Sequence, residues 1–101
     1  MSVSTHVSSD GKVVTISIRG RFDISSYEEF SSATKSVTTS GAKYVLDLSE
    51  TGYMDSSSLG MLLLLRERVH GENGNISIIN ATTEVKKILA VANFHRLFTV
   101  E

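Results

Sequence analysis

Apolar residues change their spacing along this chain, and that change of period limits it to one class of fold. Val14, Ile16 and Ile18 recur at every second position, with Thr15, Ser17 and Arg19 between them. A two-residue repeat is that of a strand with one covered face. Val3, Thr5 and Val7 show the same alternation, and Asp10-Gly11 between the two runs supplies a hairpin turn, because both residues tolerate positive φ. Tyr27, Phe30, Ala33 and Val37 then come at helical spacing, behind a predicted capping box of Ser26 and Glu29. Gly41 ends that helix, and Tyr44, Leu46 and Leu48 return to period two.

The alternation of periods continues to the end of the chain. A turn at Glu50-Thr51-Gly52 leads through Tyr53-Met54-Asp55 to a second helix, predicted over Ser57 to His70. Gly71-Glu72-Asn73-Gly74 reads as a solvated loop, and a fourth strand runs from Asn75 to Asn80 around Ile76, Ile78 and Ile79. Thr82 or Thr83 caps a third helix whose apolar side is Val85, Ile88, Leu89 and Ala92, and Asn93 suits the left-handed residue that ends a helix. Leu97, Phe98 and Val100 form a last short strand, and Gly20-Arg21-Phe22-Asp23 reads as a loop before the first helix. Two strands followed by helix, strand, helix, strand, helix, strand describe an α/β domain whose later strands are parallel. The chain reads as one domain over residues 1–101, with no repeat, low-complexity tract or linker.

Composition excludes several classes of function. Ten basic and eleven acidic side chains leave a formal charge of −1, with no basic stripe, which argues against nucleic acid as a partner. Without cysteine there are no disulfides and no thiolate metal sites. His6, His70 and His95 are scattered and read as surface residues, no histidine pair has ligand spacing, and no Gly-x-Ser-x-Gly elbow occurs. The expectation is therefore no enzyme, no metal and no cofactor. The first residues carry neither a basic region nor an apolar run, and the longest apolar stretch, Met61 to Leu65, is far short of the roughly 20 residues of a membrane span. A soluble cytoplasmic protein with no membrane partner is expected.

The second helix is the unusual element. Met61, Leu62, Leu65 and Val69 share its core face, whereas Leu63 and Leu64 point away on the side that carries Gly60 and Glu67. Those two leucines form either a partner patch or the underside of a neighbouring helix. Asp55, Ser56, Ser57 and Ser58 can each cap this helix, and the plainer reading is that one does so while the others are solvated. A phosphate at such a position is received favourably, because unpaired N–H groups and the positive dipole end face it. It brings about −1.5 to −2 charges without melting the helix.

The stretch Leu46-Asp47-Leu48-Ser49-Glu50-Thr51-Gly52-Tyr53-Met54-Asp55-Ser56-Ser57-Ser58-Leu59-Gly60 resembles the signature of STAS-domain proteins of the anti-sigma-factor antagonist family. Gly20-Arg21-Phe22-Asp23 resembles the family's loop before the first helix, and Lys87 to Phe94 its last-helix segment, with Asn93 where many members have glycine. The resemblance implies a STAS fold: a mixed four- to five-stranded sheet with helices mainly on one face. It also implies partner switching. A serine kinase of the histidine-kinase-like ATPase superfamily, often itself the anti-sigma factor, phosphorylates the first serine after the motif aspartate, here Ser56, and a metal-dependent serine phosphatase reverses this. Asp23 and Asp55 are then expected beside the phosphoacceptor, with Ser57, Ser58, Leu59, Gly60, Leu63 and Leu64 at the partner surface. Ser58 departs from the family glycine, adding a third candidate serine and a hydroxyl that a close partner would meet. Single-domain members also regulate biofilm and envelope functions through a kinase and phosphatase without a sigma factor, which is the alternative role. A hydrolase, and a receiver domain phosphorylated on Asp55, are the rivals. The second lacks acidic residues after its first strand, which ends in Ser8-Ser9.

Overall fold

The computed structural model describes residues 2–36, 42–69 and 76–101, the Ser36 side chain excepted. Val37, Gly41, His70, the loop predicted over residues 71–74 and Asn75 at the predicted start of the fourth strand all lie outside the described residues. Five strands form one sheet in the order β1-β2-β3-β4-β5: β1 Ser2–Val7, β2 Val13–Phe22, β3 Lys43–Met54, β4 Ile76–Ile79 and β5 Thr99–Val100. The β1/β2 hairpin is antiparallel and every later pairing is parallel. Helices α1 (Tyr27–Ser36), α2 (Ser56–Val69) and α3 (Thr83–Val91) make the crossovers. Each crossover steps one strand in the same direction, and right-handed crossovers of that kind place their helices on the same face.

The core reflects the period-two pattern. Thr5, Ile16, Leu46, Ile78 and Val100 are in register across all five strands, and Val14, Tyr44 and Ile76 form the next row. These rows meet Met61, Leu62 and Leu65 of α2, Phe30 of α1, and Val85 and Leu89 of α3 in one buried cluster. Predicted local signals hold at several ends. Gly11 has φ +73° in the hairpin, Thr82 caps α3 by accepting from Val85 N–H at 3.2 Å, and Asn93 sits at φ +59°.

Four sequence expectations are corrected. Of the predicted loop over residues 20–23 only Asp23 lies outside a strand: β2 continues through Phe22, which is fully buried against Phe30 at 5.2 Å between ring centroids. Glu50-Thr51-Gly52 is not a turn either, because β3 runs on to Met54. Turn-like composition there reflects two bulges: β3 gains one residue between Asp47 and Glu50 and another between Thr51 and Tyr53. Asp47 accepts from Ser49 N–H at 3.0 Å inside the first bulge, and buried Thr51 donates its hydroxyl to Ile18 C=O at 2.7 Å, fastening the bulged strand to β2. The cap before α1 is Asp23, not Ser26 paired with Glu29. Glu29 instead accepts from Val3 N–H on β1 at 2.8 Å. Last, the C-terminal strand is only Thr99–Val100. Phe94–Arg96 forms a 3-10 turn, with Phe94 and Phe98 stacked at 5.0 Å and Leu97 exposed.

Because Phe22 is core and not loop, Phe22→Ala is expected to cost about 3–5 kcal/mol, measured as a lower urea midpoint at unchanged m-value. A loss under about 1 kcal/mol, the size usual for a surface substitution, would contradict the placement.

Candidate functional site

Parallel strands β2 and β3 end together, with Phe22 opposite Met54, so the chain leaves both strands side by side. The same device is built at each of these exits. Asp23 Oδ1 accepts from Ser25 N–H at 3.0 Å and Ser25 hydroxyl at 2.5 Å, while Asp23 N–H donates to Ser26 Oγ at 3.1 Å. Asp55 Oδ1 likewise accepts from Ser57 N–H at 3.0 Å, Ser57 hydroxyl at 2.5 Å and Ser58 N–H at 3.2 Å, and Asp55 N–H donates to Ser58 Oγ at 2.8 Å. Each is a reciprocal capping box, the first opening a 3-10 turn (Ile24–Ser26) that leads into α1, the second opening α2. Sequence reading missed this repetition. The signal is present as an aspartate after a buried apolar residue, with serines two and three positions on.

The boxes assign different roles to the three serines of α2. Ser58 is 0% exposed, and its hydroxyl also donates to Asp55 C=O at 2.7 Å. It is therefore neither a contact for a partner nor an accessible third acceptor, correcting that expectation: the hydroxyl replacing the family glycine turns inward and completes the cap. Ser57 is half-buried and its hydroxyl is held by Asp55. Ser56 is exposed at the first helical position, and its hydroxyl makes no hydrogen bond among the described residues.

Both aspartates are held as anions. The Ser57 hydroxyl, chiefly, keeps the Asp55 carboxyl below the usual carboxylate range, with the Ser58 and Ser57 backbone N–H groups assisting, against partial desolvation and the negative charge of Asp23. The Ser25 hydroxyl does the same for Asp23, with Arg21 adding to it. Groups lowered on folding stabilise the fold fully above their unfolded value, near 3.9, and lose that contribution only as pH falls through the lowered one. At neutral pH the site thus carries two adjacent negative charges.

Arg21 and Tyr53 complete the rim, and neither was singled out from sequence. Arg21 Nε pairs with Asp23 Oδ2 at 2.9 Å, and its guanidinium lies 3.7 Å from the centroid of the Tyr53 ring. The signal was latent in position, since a residue two before the capping aspartate on a strand shares its side.

Along α2, spacing of three and four places Ser56, Gly60, Leu63 and Glu67 on the outer stripe. Leu63 and Leu64 are 38% and 48% exposed, while Leu59 and Gly60 are half-buried. Among the described residues a Cβ on Gly60 would meet nothing within 4 Å, so their packing does not demand glycine there. Arg66 Nε donates to Leu97 C=O at 3.1 Å and Arg68 Nη1 to Thr34 Oγ1 at 2.7 Å, anchoring the helix on both flanks. An apolar groove of about 310 Å³ lies between α2 and α3, lined by Leu59, Lys87, Ile88, Val91 and Ala92. Among the described residues no three His, Cys, Asp or Glu side chains gather into a metal site, and no helix is long and apolar enough to cross a membrane. Exposed His6 and His95 hydrogen-bond to none of these serines or aspartates.

If the buried hydroxyl closes the cap, Ser58→Ala should cost about 1–2 kcal/mol, whereas Ser56→Ala should stay within about 0.5 kcal/mol of wild type. Equal urea midpoints for the two variants would refute this division of roles.

Comparison with known proteins agrees with this architecture. Residues 5–99 match the family described as Mlab, STAS domain. A STAS-domain containing protein of Pseudomonas aeruginosa (strain UCBPP-PA14) is 46% identical over 100 residues, 99% of each chain. An anti-sigma factor antagonist from Mycobacterium paratuberculosis superposes with a TM-score of 0.81 at 20% identity, covering 98% of this chain and 85% of the other. The phosphorylated form of the Bacillus cell fate determinant SpoIIAA gives 0.66 at 14%, covering 99% and 91%. The matched family spans nearly the whole sheet-and-helix frame that holds the twin caps, and the chain belongs to the STAS-domain family.

Proposed function

We propose that this protein is a partner-switching regulator of the anti-sigma-factor antagonist kind, a binding module and not an enzyme. Its unmodified form binds a serine kinase of the histidine-kinase-like ATPase superfamily and releases it once Ser56 carries phosphate, which a metal-dependent phosphatase removes. One observation carries the reading: of three consecutive serines at the start of α2, Ser56 alone has a hydroxyl that is both exposed and unengaged. A superposable neighbour was solved in a phosphorylated form, which supports looking for a phosphate on this fold.

The electrostatics favour release without unfolding. Phosphate at the first helical position lies at the positive dipole end of α2, whose cap Asp55 already makes with the Ser57 and Ser58 N–H groups, and so is tolerated by the helix. It also adds about −1.5 to −2 charges beside two carboxylates already ionised, changing what can dock along Gly60, Leu63 and Leu64. Gly60 fits that role, since helix-interior glycine costs about 1 kcal/mol against alanine and no packing among the described residues requires it.

Two experiments test the reading. After kinase treatment, mass spectrometry should place the phosphate on Ser56. Ser56→Ala should then hold the partner permanently, and Ser56→Asp should release it incompletely, having less charge. Phosphate on another residue, or wild-type binding by both variants, would overturn the switch. Separately, Leu63→Asp and Leu64→Asp should keep the circular dichroism spectrum and melting temperature within a few degrees while weakening partner binding at least about tenfold, the loss of about 1.4 kcal/mol expected of a contact residue. Unchanged affinity would move the interface elsewhere.

A further inference from the structure

Arg21 meets the rim of this site in an unusual way. Its guanidinium spends its face on the Tyr53 ring, 3.7 Å from the centroid, and a single donor, Nε, on Asp23 at 2.9 Å. A guanidinium has five N–H donors in one plane, so stacking and the Nε bond leave the four terminal N–H groups on its edge. No hydrogen bond of those four is made among the described residues, and the side chain is 64% exposed. An arginine fixed through its face and one edge, with a second edge open, has little further freedom to lose on binding an anion.

The place of this arginine matters as much as its geometry. Asp23, which holds it, stands beside Asp55 at the paired ends of β2 and β3, and Ser56 comes directly after Asp55. Phosphate on Ser56 would put a dianion next to two carboxylates, an arrangement that is costly unless a cation shares the charge. Arg19 carries the same charge on the same strand but is occupied by Glu50 at 3.3 Å, opposite the first bulge.

We propose that Arg21 is the counter-ion of phosphorylated Ser56: its free edge takes the phosphate oxygens while Tyr53 and Asp23 hold it in place. In the modified state it shares the phosphate charge directly, while keeping the Asp23 and Tyr53 contacts it makes in the unmodified one. This rests on Ser56 being the modified residue. The consequence is that phosphorylation rearranges the charge at the Asp23 rim as well as at the start of α2, so a partner reading either edge detects it.

The test uses the full chain with phosphoserine placed at position 56 by genetic-code expansion, so that kinase specificity does not enter. The second ionisation of the phosphate, ordinarily near pH 6, is followed by phosphorus NMR, together with the Arg21 Nε–H resonance. Arg21→Gln should raise that pKa by about half a unit or more, Arg19→Gln by less than half as much, and the Nε–H resonance should move as the phosphate ionises. Equal shifts for the two arginine variants would reduce the effect to net charge and overturn the proposal, as would an unmoved resonance with an unmoved pKa. Either result leaves the phosphosite mapping of Ser56 standing on its own measurement.

Discussion

The parallel pairing of β2 with β3 is the constraint on which the rest of the molecule depends. It brings Phe22 level with Met54 and so delivers two capping aspartates to the same edge of the sheet. That register is not the one the alternating residues alone would set. Two extra residues in β3 shift it, and Thr51, whose hydroxyl reaches Ile18 across the strands, pins the shifted part. Without the bulges, β3 would meet β2 two residues out of step, and the caps would no longer stand together.

Given that register, the two boxes lock the helix starts by the same chemistry. A carboxylate that accepts several N–H and O–H donors is stabilised in its charged form, and a reciprocal bond back to the aspartate N–H removes an orphan donor. The site is consequently rigid where it is charged. α2 is closed at its first turn by the buried Ser58, is tied along its flanks by Arg66 and Arg68, and leaves Ser56 and Leu63 of its outer stripe exposed. Charge added at its first residue alters the surface more readily than the backbone, which is the physical requirement of a reversible binding switch.

Much of this was legible in the sequence, for identifiable reasons. Period-two runs at Val14–Ile18 and Tyr44–Leu48 and helical spacing in α2 and α3 report core faces directly, and Asn93 reports a left-handed residue. The failures share one cause. Glycine, serine, threonine and aspartate mark turns, bulges and caps alike, so Gly20–Phe22 and Glu50–Gly52 carried loop composition inside strands. Their fate was decided by a neighbouring strand distant in sequence. Ser58 shows the same limit at the site: its identity was readable, but whether its hydroxyl faced outward or closed the cap depended on the Asp55 backbone. Arg21 and Tyr53 became partners only through the shifted register.

The bond from Glu29 to Val3 N–H has a consequence for how the molecule meets its own copies. β1 is a border strand, and its outward N–H and C=O groups offer a template on which another chain's strand could grow. A carboxylate fixed on one of those donors removes a rung of that template and sets a negative charge in the path of an incoming backbone. At the opposite border β5 is only two residues long, too short to seed such growth. Edge-to-edge growth of the sheet from one copy to the next is thereby discouraged at both borders.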